Sequence, residues 1–149
     1  MKELHSQIEI NASAERVWRL LTDFASYPQW NPFIRTISGQ LVPGQRLQAR
    51  IEPPSGRGMT FKPKVLSAEA NRELRWLGHL LIPGLFDGEH SFTIQPLEDE
   101  RVRFIQREAF KGLLVPLFAR SLETNTQRGF EEMNHALKER AEATPPEQD

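Results

Sequence analysis

The sequence contains no cysteine. This absence excludes disulfides, thiolate zinc sites, iron–sulfur clusters and cysteine nucleophiles. The chain also has no apolar run near the ~20 residues that a membrane-spanning helix needs, and its first nine residues lack the apolar core of a signal peptide. We therefore expect a cytoplasmic protein without stable insertion into a membrane.

An excess of basic residues is missing as well. The chain has 19 lysine and arginine residues against 20 acidic residues, and the basic residues are scattered along it. Because nucleic-acid binding needs a concentrated basic surface, we do not expect a nucleic-acid partner. A length of 149 residues suits one core and is too short for two. We predict one domain over residues 1–141 and a disordered polar tail over residues 142–149.

Metal and cofactor motifs are also absent. The four histidines, at positions 5, 79, 90 and 135, do not have the spacing of a metal site. No glycine-rich phosphate-binding motif follows a predicted strand. We therefore expect neither a metal nor a cofactor.

The periodicity of apolar residues changes three times along the chain. Residues 4–10 alternate as a half-buried strand, and helical spacing follows over residues 17–24 with Ser13 as the expected N-cap. Two prolines then interrupt the pattern and leave room for a short second helix near residues 28–30. After Gly112 the spacing is helical again to about residue 141.

The middle of the chain carries strand patterns separated by turn residues. Six strands are predicted, over residues 34–40, 46–52, 59–67, 73–80, 89–95 and 102–110. Pro63 falls inside the third of these, which indicates an edge or a bulge. Together with the first strand they predict an α+β fold. In it, a seven-stranded curved antiparallel sheet grips the long C-terminal helix, with two short helices between strands 1 and 2.

Several stretches resemble a known family. They are residues 8–18 (IEINASAERVW), 20–24 (LLTDF), 27–33 (YPQWNPF), 110–114 (FKGLL) and 129–134 (GFEEMN). They are similar to the START-like helix-grip superfamily (SRPBCC, with the major birch-pollen-allergen-like fold), and within it to the polyketide cyclase/dehydrase-like branch. The resemblance implies a hydrophobic pocket between sheet and helix, in a family that includes lipid carriers, cyclases and dehydratases. A shared fold does not decide among these functions.

The last two predicted strands form a hairpin whose register can be inferred. In a hairpin, the numbers of any two residues that lie opposite each other have the same sum. A sum of 198 pairs apolar side chains with apolar side chains near the turn. A slip by one residue would turn every side chain to the other face. This register aligns three inward-facing pairs: His90 with Glu108, Phe92 with Gln106, and Ile94 with Phe104. Even-numbered side chains are therefore expected to face the inside.

His90 and Glu108 are the most specific polar pair in the sequence. An imidazole opposite a carboxyl group could act as a general acid–base pair or anchor a polar group of a ligand. It could equally be a structural pair, since each group satisfies the other in an apolar surrounding.

The resulting primary hypothesis is non-catalytic binding of a small hydrophobic or aromatic ligand, lipid-like or polyketide-like. Small or polar residues on the inward face of the helix, Ser121, Asn125 and Gly129, leave space for it unless the nine Phe and three Trp side chains fill that space. The predicted ligand-binding residues are Phe61, Trp76, His90, Phe92, Phe104, Gln106, Glu108, Phe118, Leu122 and Asn125. The alternative is an enzyme, a cyclase or dehydratase-like lyase with His90 and Glu108 as catalytic residues.

Two loops are unusually apolar, over residues 81–86 and 113–118. Apolar loops are typical of a hydrophobic mouth, or of a surface that docks a protein, a membrane or a second copy in a homodimer. Alternatively the two loops pack on each other and close one end of the fold. In that case Leu85 and Phe86 are expected to be their most exposed members.

Overall fold

Strands and helices follow one another in nearly the predicted order. The structure, a computed structural model, describes residues 1–80 and 82–143. Its strands are β1 (Lys2–Ile10), β2 (Ile34–Ser38), β3 (Gln48–Ile51), β4 (Met59–Phe61), β5 (Lys64–Glu69), β6 (Glu73–Leu80), β7 (Phe86–Pro96) and β8 (Val102–Lys111). Its helices are α1 (Ala14–Thr22), a 3₁₀ turn (Phe24–Ser26), α2 (Tyr27–Trp30), α3 (Val115–Ser121), a π turn (Leu122–Thr126) and α4 (Gln127–Glu142).

The two short helices after β1 begin as their sequences predict. The hydroxyl of Ser13 accepts a hydrogen bond of 3.2 Å from the backbone N–H of Arg16, which caps α1. Pro28 lies in the first turn of α2, where a missing N–H costs nothing. The predicted N-cap and both helices are confirmed.

The prediction of one seven-stranded sheet is wrong. A five-stranded sheet has the order β1-β8-β7-β6-β5, and a separate three-stranded sheet has the order β2-β3-β4. The predicted strand over residues 59–67 is divided into β4 and β5, because Pro63 between them has no N–H for a ladder hydrogen bond.

The two sheets are joined beside Pro63. Its carbonyl accepts a hydrogen bond of 2.8 Å from the N–H of Leu47, and Val65 donates one of 2.8 Å to the carbonyl of Gln45. A single bridge between Arg46 and Lys64 completes this junction. The three-stranded sheet is therefore held against β5 by the segment that leads into β3.

The predicted register of the last hairpin is confirmed. His90 lies opposite Glu108, and the pairing continues in step from Asp87 with Lys111 to Pro96 with Val102. Even-numbered residues of β7 and β8 face the inside of the fold, as alternation along a strand requires.

The C-terminal helical segment runs from Val115 to Glu142 and changes its hydrogen-bond pattern at the π turn. Phe130, Met133 and Leu137 bury the inward face of α4, which packs against β1 and α1. Glu142, which the sequence placed in the polar tail, is the last residue of α4 and accepts a hydrogen bond of 2.7 Å from the N–H of Asn11. The rest of the predicted tail, residues 144–149, lies outside the described residues.

No helix in the described ranges is long and apolar enough to cross a membrane.

Candidate functional site

A cavity of about 340 Å³ lies between the three-stranded sheet, the β6–β8 strands and the C-terminal helical segment. Its walls are mostly apolar, with the side chains of Ile34, Ile51, Phe61, Trp76, Phe110 and Leu122 among them. It reaches the surface near Met59 and Phe118, which are 41% and 40% exposed. The aromatic side chains therefore line this end of the fold without filling it.

The cavity exists because small residues occupy inward positions. Gly78 of β6 lies directly opposite Gly88 of β7, and Ala49 of β3 faces the same space. A methyl group on Gly78 would meet nothing closer than Pro63, 3.8 Å away. At these two positions, the neighbouring strands β6 and β7 therefore lack the large side chains that fill the core elsewhere in the fold.

The π turn forms the wall that faces these strands. Ser121, Leu122, Asn125 and Thr126 all line the cavity. π turns within α-helices occur often at functional sites, since the extra residue in the turn displaces side chains from the helical pattern. Gly129, one turn later, leaves no space, because a Cβ there would lie 2.3 Å from the ring of Phe33.

His90 and Glu108 form a hydrogen-bonded pair at the inner wall. His90 Nδ1 lies 2.9 Å from Glu108 Oε1, and the two side chains are 5% and 17% exposed. The other carboxyl oxygen of Glu108 lies over Gly88, where a Cβ would be only 2.3 Å from it. Gly88 therefore makes room for the carboxyl group at the cavity wall.

A chain of buried polar side chains continues from His90 to α4. His90 Nε2 lies 3.0 Å from Gln106 Oε1, and Gln106 Nε2 donates to Asn134 Oδ1 at 2.7 Å and to the Phe130 carbonyl at 3.3 Å. Asn134 Nδ2 donates to the hydroxyl of Ser6 at 2.9 Å. These contacts satisfy polar groups that would be costly to bury alone.

Seven of the ten predicted ligand-binding residues line the cavity: Phe61, Trp76, His90, Glu108, Phe118, Leu122 and Asn125. The other three, Phe92, Phe104 and Gln106, are fully buried in the core next to it. Phe92 and Phe104 stack on each other with ring centroids 6.0 Å apart. The ligand contacts of all ten residues stay predictions.

Many other lining residues were not predicted, among them Ile34, Ala49, Ile51 and Phe110. Gly78 and Gly88 have even numbers, as do the inward-facing residues of their strands, and this alternation could have identified them. The loop after β3 contributes Pro53, Ser55 and Arg57, and its path could not be inferred from its turn residues.

The two apolar loops pack on each other at the mouth of the cavity. Backbone hydrogen bonds of 3.2 and 2.9 Å join Leu113 to Gly84 and Leu114 to Leu85, and the ring of Phe86 contacts those of Phe110 and Phe118. The expectation that Leu85 and Phe86 are the most exposed members is wrong, because this packing half-buries both. The most exposed large apolar members are Ile82, Leu113 and Leu117, at 61%, 82% and 75%. Leu81 lies outside the described residues, and docking through these loops stays a hypothesis.

A second histidine–carboxyl pair holds the base of the first apolar loop. His79 Nδ1 lies 2.7 Å from Asp87 Oδ1, and the N–H of Gly84 donates to both carboxyl oxygens at 3.1 and 3.0 Å. The hydrogen bond from His79, with that from Gly84, holds the pKa of Asp87 below its usual value despite some desolvation. This pair fixes the loop beside the mouth.

The sequence profile of the family described as polyketide cyclase / dehydrase and lipid transport matches residues 1–142. The chain belongs to this family. Its description agrees with the resemblance to the START-like superfamily and its cyclase/dehydrase-like branch. No curated protein matches the chain.

Solved structures with the same fold belong to proteins with different names. A START superfamily protein from Mycobacterium smegmatis is 24% identical, with 94% of this chain and 97% of that chain covered and a TM-score of 0.72. The ZhuI aromatase/cyclase from Streptomyces sp. R1128 is 18% identical over 95% and 93% of the two chains, with a TM-score of 0.75. A norcoclaurine synthase from Thalictrum flavum is 15% identical over 94% and 93%, with a TM-score of 0.70. These likenesses show that this family member has the START-like fold.

Proposed function

We propose that this domain binds a small hydrophobic or aromatic molecule in the cavity beneath the π turn and releases it unchanged. The observation that carries the proposal is the unfilled space of about 340 Å³. It falls within the range of small-molecule sites, roughly 300–1,000 Å³. The family description, which names both polyketide chemistry and lipid transport, supports an apolar ligand.

The distribution of polar groups supports the same function. Apolar side chains make up most of the wall, and the charged side chains on it are those of Arg57 and Glu108. Few polar groups in an apolar cleft are typical of sites that take their affinity from burial and their specificity from a few hydrogen bonds.

Filling the cavity tests the proposal. N-phenylnaphthylamine, a neutral probe that fluoresces in apolar surroundings, should bind the wild-type protein. Gly78→Leu should weaken binding about tenfold or more, because the new side chain occupies the probe's space. Gly78→Ala is the matched control, since its methyl group meets no atom closer than 3.8 Å. A folded wild-type protein that does not bind the probe, or a Gly78→Leu variant that binds it equally well, would contradict the proposal.

A second candidate function is catalysis by a cyclase or dehydratase-like lyase. It is favoured by the placement of the Glu108 carboxyl group at the cavity wall, with the buried His90 behind it. Such a pair can remove a proton from carbon and return one to oxygen as water leaves. The test is incubation with a synthetic poly-β-keto thioester and detection of a product that has lost water. Glu108→Gln should lower the rate about a hundredfold or more if the pair is catalytic. No product from the wild-type protein would remove this candidate.

A further inference from the structure

The polarity of the buried hydrogen-bond chain can be assigned atom by atom. The carbonyl of Phe130 only accepts, so the Gln106 atom beside it, 3.3 Å away, is the amide nitrogen. Gln106 Oε1 therefore faces His90 Nε2, and this ring nitrogen must carry a hydrogen. Asn134, which accepts from Gln106 and donates to Ser6, holds the amide in this orientation.

The assignment fixes a second proton at the cavity wall. With Nε2 protonated, His90 Nδ1 and Glu108 Oε1 face each other at 2.9 Å, and two lone pairs at this distance would repel. One proton therefore lies between them, on either atom, and the pair carries no net charge. Neutrality agrees with the low exposure of both side chains, since an unpaired buried charge is costly.

Glu108 Oε2 is left as a hydrogen-bond acceptor. It lies over Gly88, and among the described residues none donates a hydrogen bond to it. Glu108, Gly88 and the apolar side chains of Trp76 and Phe110 line the same cavity. A ligand in this cavity can form a hydrogen bond with Glu108 Oε2 only if it carries an O–H or N–H group beside its apolar part.

We propose that the cavity selects an apolar ligand with a hydrogen-bond donor, a hydroxyl, phenol or amide N–H group, that binds Glu108 Oε2. Gln106 is then a positioning residue that acts on the ligand through His90. This inference rests on the proposed binding function and adds the chemical class of the ligand to it.

Two probes of nearly equal shape test the donor requirement. Calorimetry should show that naphthol binds the wild-type protein about tenfold or more tightly than methoxynaphthalene, which has no donor. In Glu108→Leu the two affinities should become equal. Glu89→Leu, on the outer face of β7, is the control and should keep the preference. Equal affinities in the wild-type protein overturn this inference but leave the binding function standing, whereas failure of both probes to bind contradicts the binding function itself.

Two further measurements test the inference even if the Glu108→Leu variant does not fold. Nitrogen NMR of the wild-type protein should find a bound hydrogen on His90 Nε2, and an unprotonated Nε2 would overturn the assignment. Gln106→Met keeps a side chain of similar length and should reduce the ratio of naphthol to methoxynaphthalene affinity. An unchanged ratio would show that Gln106 does not position the pair.

Discussion

Strand β7 runs from the end of the fold that contains the cavity, called the open end, to the end that side chains fill, called the closed end. Comparing the two ends shows how the same sheet can form either a cavity or a packed core. The inward residues of β7 are, in order, Gly88, His90, Phe92 and Ile94. At the closed end, Phe92 and Ile94 pack with Phe104 and are almost fully buried. At the open end, Gly88 faces Gly78 and the space stays empty. The backbone alternation is the same at both ends, and only the side-chain size differs.

Polar groups lie at the boundary between the two ends. His90 and Gln106 occupy the inward positions between the empty and the filled parts of the β7–β8 pair. Their hydrogen bonds to Glu108 on one side and Asn134 on the other fix the boundary in place. The ring of His90 also contacts Phe92 and Phe130, so the polar chain is embedded in the core.

The largest expected effect contrasts the aromatic side chains of the two ends. Phe104→Ala should lower the free energy of unfolding by about 3–5 kcal/mol, because the side chain is fully buried and its removal leaves a cavity in the core. Phe118→Ala, at the 40% exposed rim, should cost less than about 1 kcal/mol. Urea denaturation of both variants measures the difference. Equal losses would show that the open end is part of the packed core.

The second-largest expected effect is a difference in naphthol affinity between alanine variants of Gly88 and Gly78, which lie opposite each other. Gly88→Ala should weaken naphthol binding about tenfold, because its Cβ would lie 2.3 Å from Glu108 Oε2 and push the carboxyl group away. Gly78→Ala has open space and should bind naphthol nearly as the wild-type protein does. Calorimetry on the two variants provides the comparison. If both variants lost the same affinity for naphthol, binding would depend on the absence of a side chain at either position and not on the position of the Glu108 carboxyl group.

The smallest effect concerns the pair of His79 and Asp87 at the base of the first apolar loop. The folded pKa of Asp87 lies below its usual value of 3.8, so its stabilising contribution is complete above that pH and is lost as the pH falls through the folded pKa. His79→Ala should raise this pKa, because the hydrogen bond from His79 is the largest cause of its lowering. The variant should then lose less stability than the wild-type protein on acidification below pH 3.8.

Carboxyl NMR titration of Asp87 measures this shift. At neutral pH the change in unfolding free energy should stay within about half a kcal/mol, as is usual for side chains outside the core. A titration midpoint that does not move in His79→Ala would contradict the assigned cause.

The sequence predicts the parts of this fold that depend on local rules. Alternation and hairpin register place His90 opposite Glu108, and helical spacing places Leu122 and Met133 on the inward face of the C-terminal helical segment. Pro63 indicates an edge or a bulge, but the way in which the two sheets join could not be predicted, because the hydrogen bond from Leu47 to Pro63 links residues that are far apart in the sequence. Tertiary packing also decides that Phe33 covers Gly129, while Asn125 faces empty space.

Methyl NMR with naphthol tests the central claim most directly. Because the open end is empty and the closed end is filled, added naphthol should shift the methyl signals of Ala49 and Ile51, which line the cavity. The signals of Ile94 and Leu137, buried at the closed end, should stay in place. Shifts at Ile94 and Leu137 with none at Ala49 and Ile51 would contradict the account.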